Sequence, residues 1–180
     1  MTDSRTVVQQ KLEEVRGDRP TVPLQGAQEA LHIGMDELPW VEVVPGAEIQ
    51  LLHVDLAQGL WVSRNRFQPG LEVDRHYHTG SVFGVTHSGS WFYKEYPEVV
   101  NRAGSYLLEP AGSVHTLVVP ATNTEPTIVW FAIYGANVNV DAAGNVTALV
   151  DARMVLDGYR AYCAATGQSC EKLIVIGEAL

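Results

Sequence analysis

From Trp40 to about Val150 the apolar residues come in short runs that often alternate with polar ones and never hold a helical period for long. The runs are WVEVV, EIQLLHVD, GLWVSRNRF, SVFGVTH, SWFYKEY, SYLLE, HTLVV, TIVWFAIY, ANVNV and NVTALV. Turn-forming residues separate them, among them Pro45–Gly46, Gln58–Gly59, Pro69–Gly70, Ser88–Gly89, Gly104, Pro110–Gly112 and Ala143–Gly144. Many short strands at this spacing, with no helix between them, predict an all-β sandwich or barrel. Flanking segments read differently. Residues 6–16 (TVVQQKLEEVR) are weakly helical and end at the Gly17–Pro20 breaker. Residues 17–39 carry repeated Pro and Gly and predict an irregular arm packed on the barrel. After the strands, Met154, Leu156, Tyr159 and Tyr162 recur in near-helical rhythm, which predicts one terminal helix. The layout is therefore an arm over 1–39, a barrel over 40–150, and a helix with a tail over 151–180, all in one domain.

Composition narrows this only slightly. The chain has 180 residues, enough for one domain with a real core, and 46% hydrophobic against 18% charged is ordinary for a globular protein. A formal charge of −9 excludes phosphate neutralisation as a binding mode, so no nucleic-acid partner is expected. No apolar run approaches the roughly 20 residues that span a bilayer, and the N-terminus has no signal-peptide core. The expectation is a cytoplasmic protein with no membrane partner. Cys163 and Cys170 match no zinc spacing and are expected to be free thiols.

Chemistry concentrates in two places. In Gly70-LEVDR-His76-Tyr-His78, the two histidines stand at i and i+2, so on a strand they point to one face and can reach one metal ion. In Gly104-SYLLE-Pro110-Ala-Gly112-SV-His115, a third histidine follows a proline–glycine turn. Three neutral nitrogen donors suit iron, nickel, copper or zinc. His32, His53 and His87 lack such company.

Together the stretches resemble the paired motifs of the cupin superfamily, G-x5-H-x-H-x3-or-4-E-x6-G and G-x5-P-x-G-x2-H-x3-N. Gly70, His76, His78 and Gly89 match the first; Gly104, Pro110, Gly112 and His115 match the second. Val82 stands where the first motif has its glutamate, and Val119 where the second has its asparagine. The resemblance implies a double-stranded β-helix, or jelly roll, with His76, His78 and His115 as metal ligands. Further likeness lies in H-x-H-T-G-x-V, in G-S-W-x-Y-x-E (Gly89 to Glu95), in the run from Ala103 to Pro120 and in the D-A-A-G-N-V turn from Asp141. These are similar to the 2,4'-dihydroxyacetophenone dioxygenase family of cupins. That family implies iron(II), a small aromatic α-hydroxyketone and dioxygen as substrates, and a homodimer or homotetramer. It also implies cleavage of the bond between the ketone and hydroxymethyl carbons, giving 4-hydroxybenzoate and formate.

With Val82 in the glutamate position, a carboxylate must be sought elsewhere. Strand alternation puts Trp91, Tyr93 and Glu95 on one face. If that face looks inward, Glu95 approaches the metal as a ligand or as a base, and Tyr93 is a second candidate for proton transfer. Glu109, just before Pro110, is the weaker carboxylate. Trp61, Phe67, Trp91, Tyr93, Trp130 and Tyr134 are candidates to line an aryl-sized cavity. Other readings of the same residues are a cupin dioxygenase for a β-diketone, a non-catalytic metal-binding sensor and a metal-dependent isomerase.

Overall fold

The computed structural model describes residues 30–178. The helix expected over 6–16 lies outside the described residues. Thirteen strands follow in order: β1 (Val41–Val44), β2 (Ala47–Asp55), β3 (Leu60–Phe67), β4 (His76–His78), β5 (Val82–Ser88), β6 (Ser90–Tyr93) and β7 (Asn101–Arg102). The rest are β8 (Tyr106–Glu109), β9 (Leu117–Val118), β10 (Thr127–Tyr134), β11 (Asn137–Val140), β12 (Val146–Val150) and, after helix α1 (Ala152–Thr166), β13 (Ile174–Ile176). The expected all-β cupin jelly roll is what forms. A seven-stranded sheet runs β1-β2-β3-β10-β5-β8, with β13 added parallel to β2. Two three-stranded sheets, β12-β11-β4 and β7-β6-β9, complete it.

Alternation decides what faces inward. Along β3, Trp61, Ser63, Asn65 and Phe67 are buried while Val62, Arg64 and Arg66 are half-buried. Beside them on β10, Val129 and Phe131 are buried. The neighbouring position on β5 is Gly84, and a Cβ there would come within 2.8 Å of the Phe131 ring, so only glycine lets that ring lie flat across the sheet. One core cluster joins Ala47, Phe67, Val82, Trp91, Leu117 and Phe131. A second packs α1 against β2 and β3 through Leu51, Val54, Trp61, Leu156 and Tyr159.

The terminal helix is capped as its sequence demands. The Asp151 carboxylate accepts from the Met154 N–H at 2.9 Å, and Gly167 closes the other end in the left-handed conformation (φ 66°). Its buried face differs from the expected rhythm: Ala152, Leu156, Tyr159 and Cys163 are covered, whereas Met154 is exposed. Tyr159 reaches across to donate to the Pro39 carbonyl at 2.6 Å, which ties the helix to the segment entering β1. Cys163 and Cys170 are free. Among the described residues, no helix is long and apolar enough to cross a membrane.

Candidate metal centre

Three short elements bring the histidines together. The inward pair His76 and His78 comes from β4, with Tyr77 between them less buried. His115 meets β4 from the other side: the His76 N–H donates to the His115 carbonyl at 3.0 Å, and the His115 N–H donates back to His76 at 2.9 Å. The turn before His115 is held by Gly112, whose φ of 82° suits glycine and whose N–H donates to the His78 carbonyl at 2.8 Å. A ring nitrogen from each histidine lies within 4.8 Å of the others, and all three residues are buried. One ion can sit among them.

The protonation states fit that role. His76 Nδ1 lies 2.7 Å from the Asp74 carbonyl. A carbonyl only accepts, so Nδ1 carries the proton and Nε2 keeps its lone pair. Burial depresses the His76 pKa, against an opposing pull from Asp74. His78 is pushed down to about 3 by burial and by its two histidine neighbours. His115 falls to about 4, again chiefly through burial and then His76. All three are neutral near pH 7 and free to donate lone pairs.

A carboxylate does enter the site, and it belongs to Glu109. It is buried at the end of β8, directly across from Val82 in the β5–β8 register. The group missing from the motif position on β5 is thus present one strand over. Glu109 Oε2 lies 3.5 Å from His78 Nε2 and 3.3 Å from His115 Nε2. The other oxygen, Oε1, accepts a short hydrogen bond from the Tyr93 hydroxyl. Burial raises the Glu109 pKa to about 7, despite the Tyr93 bond that pulls it down. Burial, then the charge of Glu109, pushes the Tyr93 phenol far above its ordinary range, so it stays a hydrogen-bond donor. The Tyr93 ring also stacks at a tilt against His115, 4.2 Å between centroids.

Three atoms at this junction have no hydrogen-bond partner: His78 Nδ1, His115 Nε2 and Glu109 Oε2. Buried polar groups are seldom left so, because each costs about 1–3 kcal/mol. A cation taken up by the imidazoles would satisfy His115 Nε2 and would lie beside the Glu109 carboxyl. The residues fit a metal ion.

Glu95 is placed otherwise than strand alternation predicts. β6 does bury Trp91 and Tyr93, but it stops at Tyr93, where the chain turns with Tyr96 N–H donating to the Tyr93 carbonyl. Glu95 therefore leaves the inward face and is exposed. Its carboxylate accepts from the Thr116 N–H at 2.8 Å and the Thr116 hydroxyl at 3.0 Å. Burial tends to raise its pKa, but the Thr116 bonds and nearby His115 outweigh that and hold it low. It braces the residue that follows His115.

Above the histidines opens a cavity of about 610 Å³. Its walls include Trp61, Phe67, Tyr93 and Phe131, with His76, His78 and Glu109 at one end. Of the aromatics expected there, Trp91 is packed behind Tyr93, and Trp130 and Tyr134 lie outside the lining. Phe131 is the aromatic of that strand that lines the cavity.

Residues 28–137 match the ChrR cupin-like domain family. The chain belongs to that family. None of the curated proteins matches it. Among solved structures, this cupin is similar to a protein of unknown function with a cupin-like fold from Ralstonia eutropha JMP134, at 33% identity and a TM-score of 0.76 over 85% of this chain and 94% of that one. An RmlC-like cupin from the same organism is 27% identical, with a TM-score of 0.75 over 81% and 94%. The acetylacetone dioxygenase of Acinetobacter johnsonii shares the fold at 18% identity, with a TM-score of 0.64 over 80% and 96%.

The metal-free cupin should lose stability in acid. The unfolded chain protonates its histidines near 6.5, whereas folded His78 and His115 resist until about 3 and about 4. Unfolding then takes up protons, so these two contribute stability above about 6.5 that is lost as pH falls. Glu109 acts oppositely, being protonated when folded below about 7 and ionised when unfolded down to about 4.5. Two histidines against one carboxyl leave a net uptake. The urea midpoint of metal-free protein is expected to be lower at pH 5 than at pH 7; an equal or higher midpoint contradicts these protonation states.

Proposed function

We propose that this cupin is a non-haem iron(II) dioxygenase. It cleaves 2,4'-dihydroxyacetophenone between the ketone and hydroxymethyl carbons, giving 4-hydroxybenzoate and formate with both atoms of dioxygen retained. The observation that carries this reading is a neutral three-histidine centre with a buried, protonatable Glu109 beside it at the end of an aromatic-walled cavity. Bound iron(II) supplies the Lewis acidity and the one-electron chemistry that dioxygen requires.

The chain's own groups do the rest. His76, His78 and His115 would hold the ion without neutralising its charge, and that charge would favour the deprotonated form of an enolisable α-hydroxyketone. Enolisation needs a base, and Glu109 Oε2 faces the histidines with a pKa raised by burial to about 7. Tyr93 donates to the other oxygen, which fixes the carboxylate's direction and leaves Oε2 to take the proton. Phe67, Phe131 and Trp61 hold an aryl ring and keep water away.

Labelled dioxygen tests the reading. One heavy oxygen is expected in 4-hydroxybenzoate and one in formate. Label recovered only in water or peroxide would mean an oxidase. If the aryl ketone is untouched while acetylacetone is consumed, the substrate is a β-diketone, as the name of the Acinetobacter protein would suggest.

Glu95 has a positioning role in this scheme. Through Thr116 it sets the backbone beside His115. Glu95→Gln replaces one acceptor oxygen with an amide and should cost roughly 10- to 100-fold in metal affinity or turnover. Metal content and rate both equal to the wild type would leave Glu95 an ordinary surface glutamate.

A further inference from the structure

The cavity lining includes two polar side chains on β3, apart from the histidines and Glu109. Ser63 and Asn65 lie on the inward face of β3, two residues apart, in a wall otherwise built by Phe67, Phe131 and Ile133. Both are buried, at 2% and 9% exposure. Asn65 Nδ2 donates to the Ser63 hydroxyl at 3.0 Å and to the Val129 carbonyl at 3.5 Å. A carbonyl only accepts, so the amide nitrogen is the atom on that side and Oδ1 points away from it. Among the described residues nothing donates to Asn65 Oδ1, and the Ser63 hydroxyl accepts one bond but donates none. One acceptor and one donor are left over, side by side, on an apolar wall. Both open onto the cavity, so a ligand that covers them without a polar group of its own would leave them unpaired.

Their position relative to the metal centre follows from the sheet register. Glu109, Val82, Ile133 and Trp61 form one row across β8, β5, β10 and β3. Ser63 stands in the next inward row with Phe131, and Asn65 in the row after that with Val129. Ser63 is thus offset from Glu109 by one step of about 7 Å along the strands and by three strands across the sheet, and both open onto the same cavity. Asn137, Asn139 and Asp74 form a separate polar group in the lining, Asn137 donating to Asn139 at 2.7 Å and Asn139 to Asp74 at 3.3 Å.

We infer that Ser63 and Asn65 read the ring hydroxyl of an aryl ketone, provided its ketone end lies at the triad as proposed above. A phenol both donates and accepts, which matches Asn65 Oδ1 as acceptor and the Ser63 hydroxyl as donor. An unsubstituted phenyl ring would leave both unpaired. The pair thus selects hydroxylated rings over plain ones within the same cavity.

Calorimetric titration with 4-hydroxyacetophenone and acetophenone tests this without turnover, since neither carries the hydroxymethyl carbon. The wild type is expected to bind the phenol at least about tenfold more tightly. Ser63→Ala should bring the two affinities together and leave that for acetophenone unchanged, and Asn65→Leu should do the same. Should Asn65→Leu fail to fold, Ser63→Ala alone decides. A wild type with no preference, no measurable binding of either compound, or a preference that survives Ser63→Ala overturns the inference. Loss of the preference in a protein that cleaves no α-hydroxyketone would instead overturn the reaction and keep the ring-reading pair.

Discussion

Replacing His115 with alanine should strip the purified protein of most of its metal and nearly all of its turnover. The effect is large because the three imidazoles are the only histidines, cysteines or acids that cluster as a metal site among the described residues. With two nitrogens left, the buried carboxyl beside them is that of Glu109, and its burial favours the protonated form. His76→Ala and His78→Ala should behave alike. The check is metal analysis by mass spectrometry together with oxygen uptake. His115 also bridges to His76 through two backbone hydrogen bonds, which the substitution leaves in place, so the fold should survive. Full metal occupancy in His115→Ala would remove the residue from the centre.

The second large effect concerns Glu109. Glu109→Gln keeps the size and an acceptor for the Tyr93 hydroxyl but cannot take a proton. Iron should be retained, substrate should still bind, and turnover should fall by roughly two to four orders of magnitude, the range for a general base. The measurements are metal content, substrate affinity and single-turnover rate on the same preparation. Loss of iron would make Glu109 a ligand rather than a base. A wild-type rate would remove it from the chemistry, and the short Tyr93 contact would be purely architectural.

The histidines were legible in the sequence because their spacing carries geometry: i and i+2 on a strand, then a third after a glycine turn. Glu109 was harder to see. In Tyr106-Leu-Leu-Glu109 three apolar residues precede the acid, so alternation cannot say which set faces inward, and it is Tyr106 and Leu108 that are exposed. A signal did exist in the pairing of β5 with β8, but register is a tertiary fact. Glu95 misled for the opposite reason. The alternation that buries Trp91 and Tyr93 ends with the strand at Tyr93, two residues before Glu95. Trp130 and Tyr134 show a third cause. The run TIVWFAIY is apolar on both faces, as a covered strand should be, and hides which aromatics reach the cavity. Ser63 and Asn65 alternate with Arg64 and Arg66, so a polar stretch concealed an inward polar pair.

The strand that carries two of the ligands is only three residues long, and this bears on how an ion would leave. β4 is held by β11 along one edge and by the His76–His115 bridge and the Gly112 turn along the other. Elements with so few bonds are the ones that open locally while the rest of a domain stays folded. An ion clasped between β4 and His115 ties both edges, so opening requires its imidazoles to part. Dissociation of such an ion would then require β4 to peel from the barrel as well as a chelator at the cavity mouth. Retention becomes a property of one short strand's fluctuations.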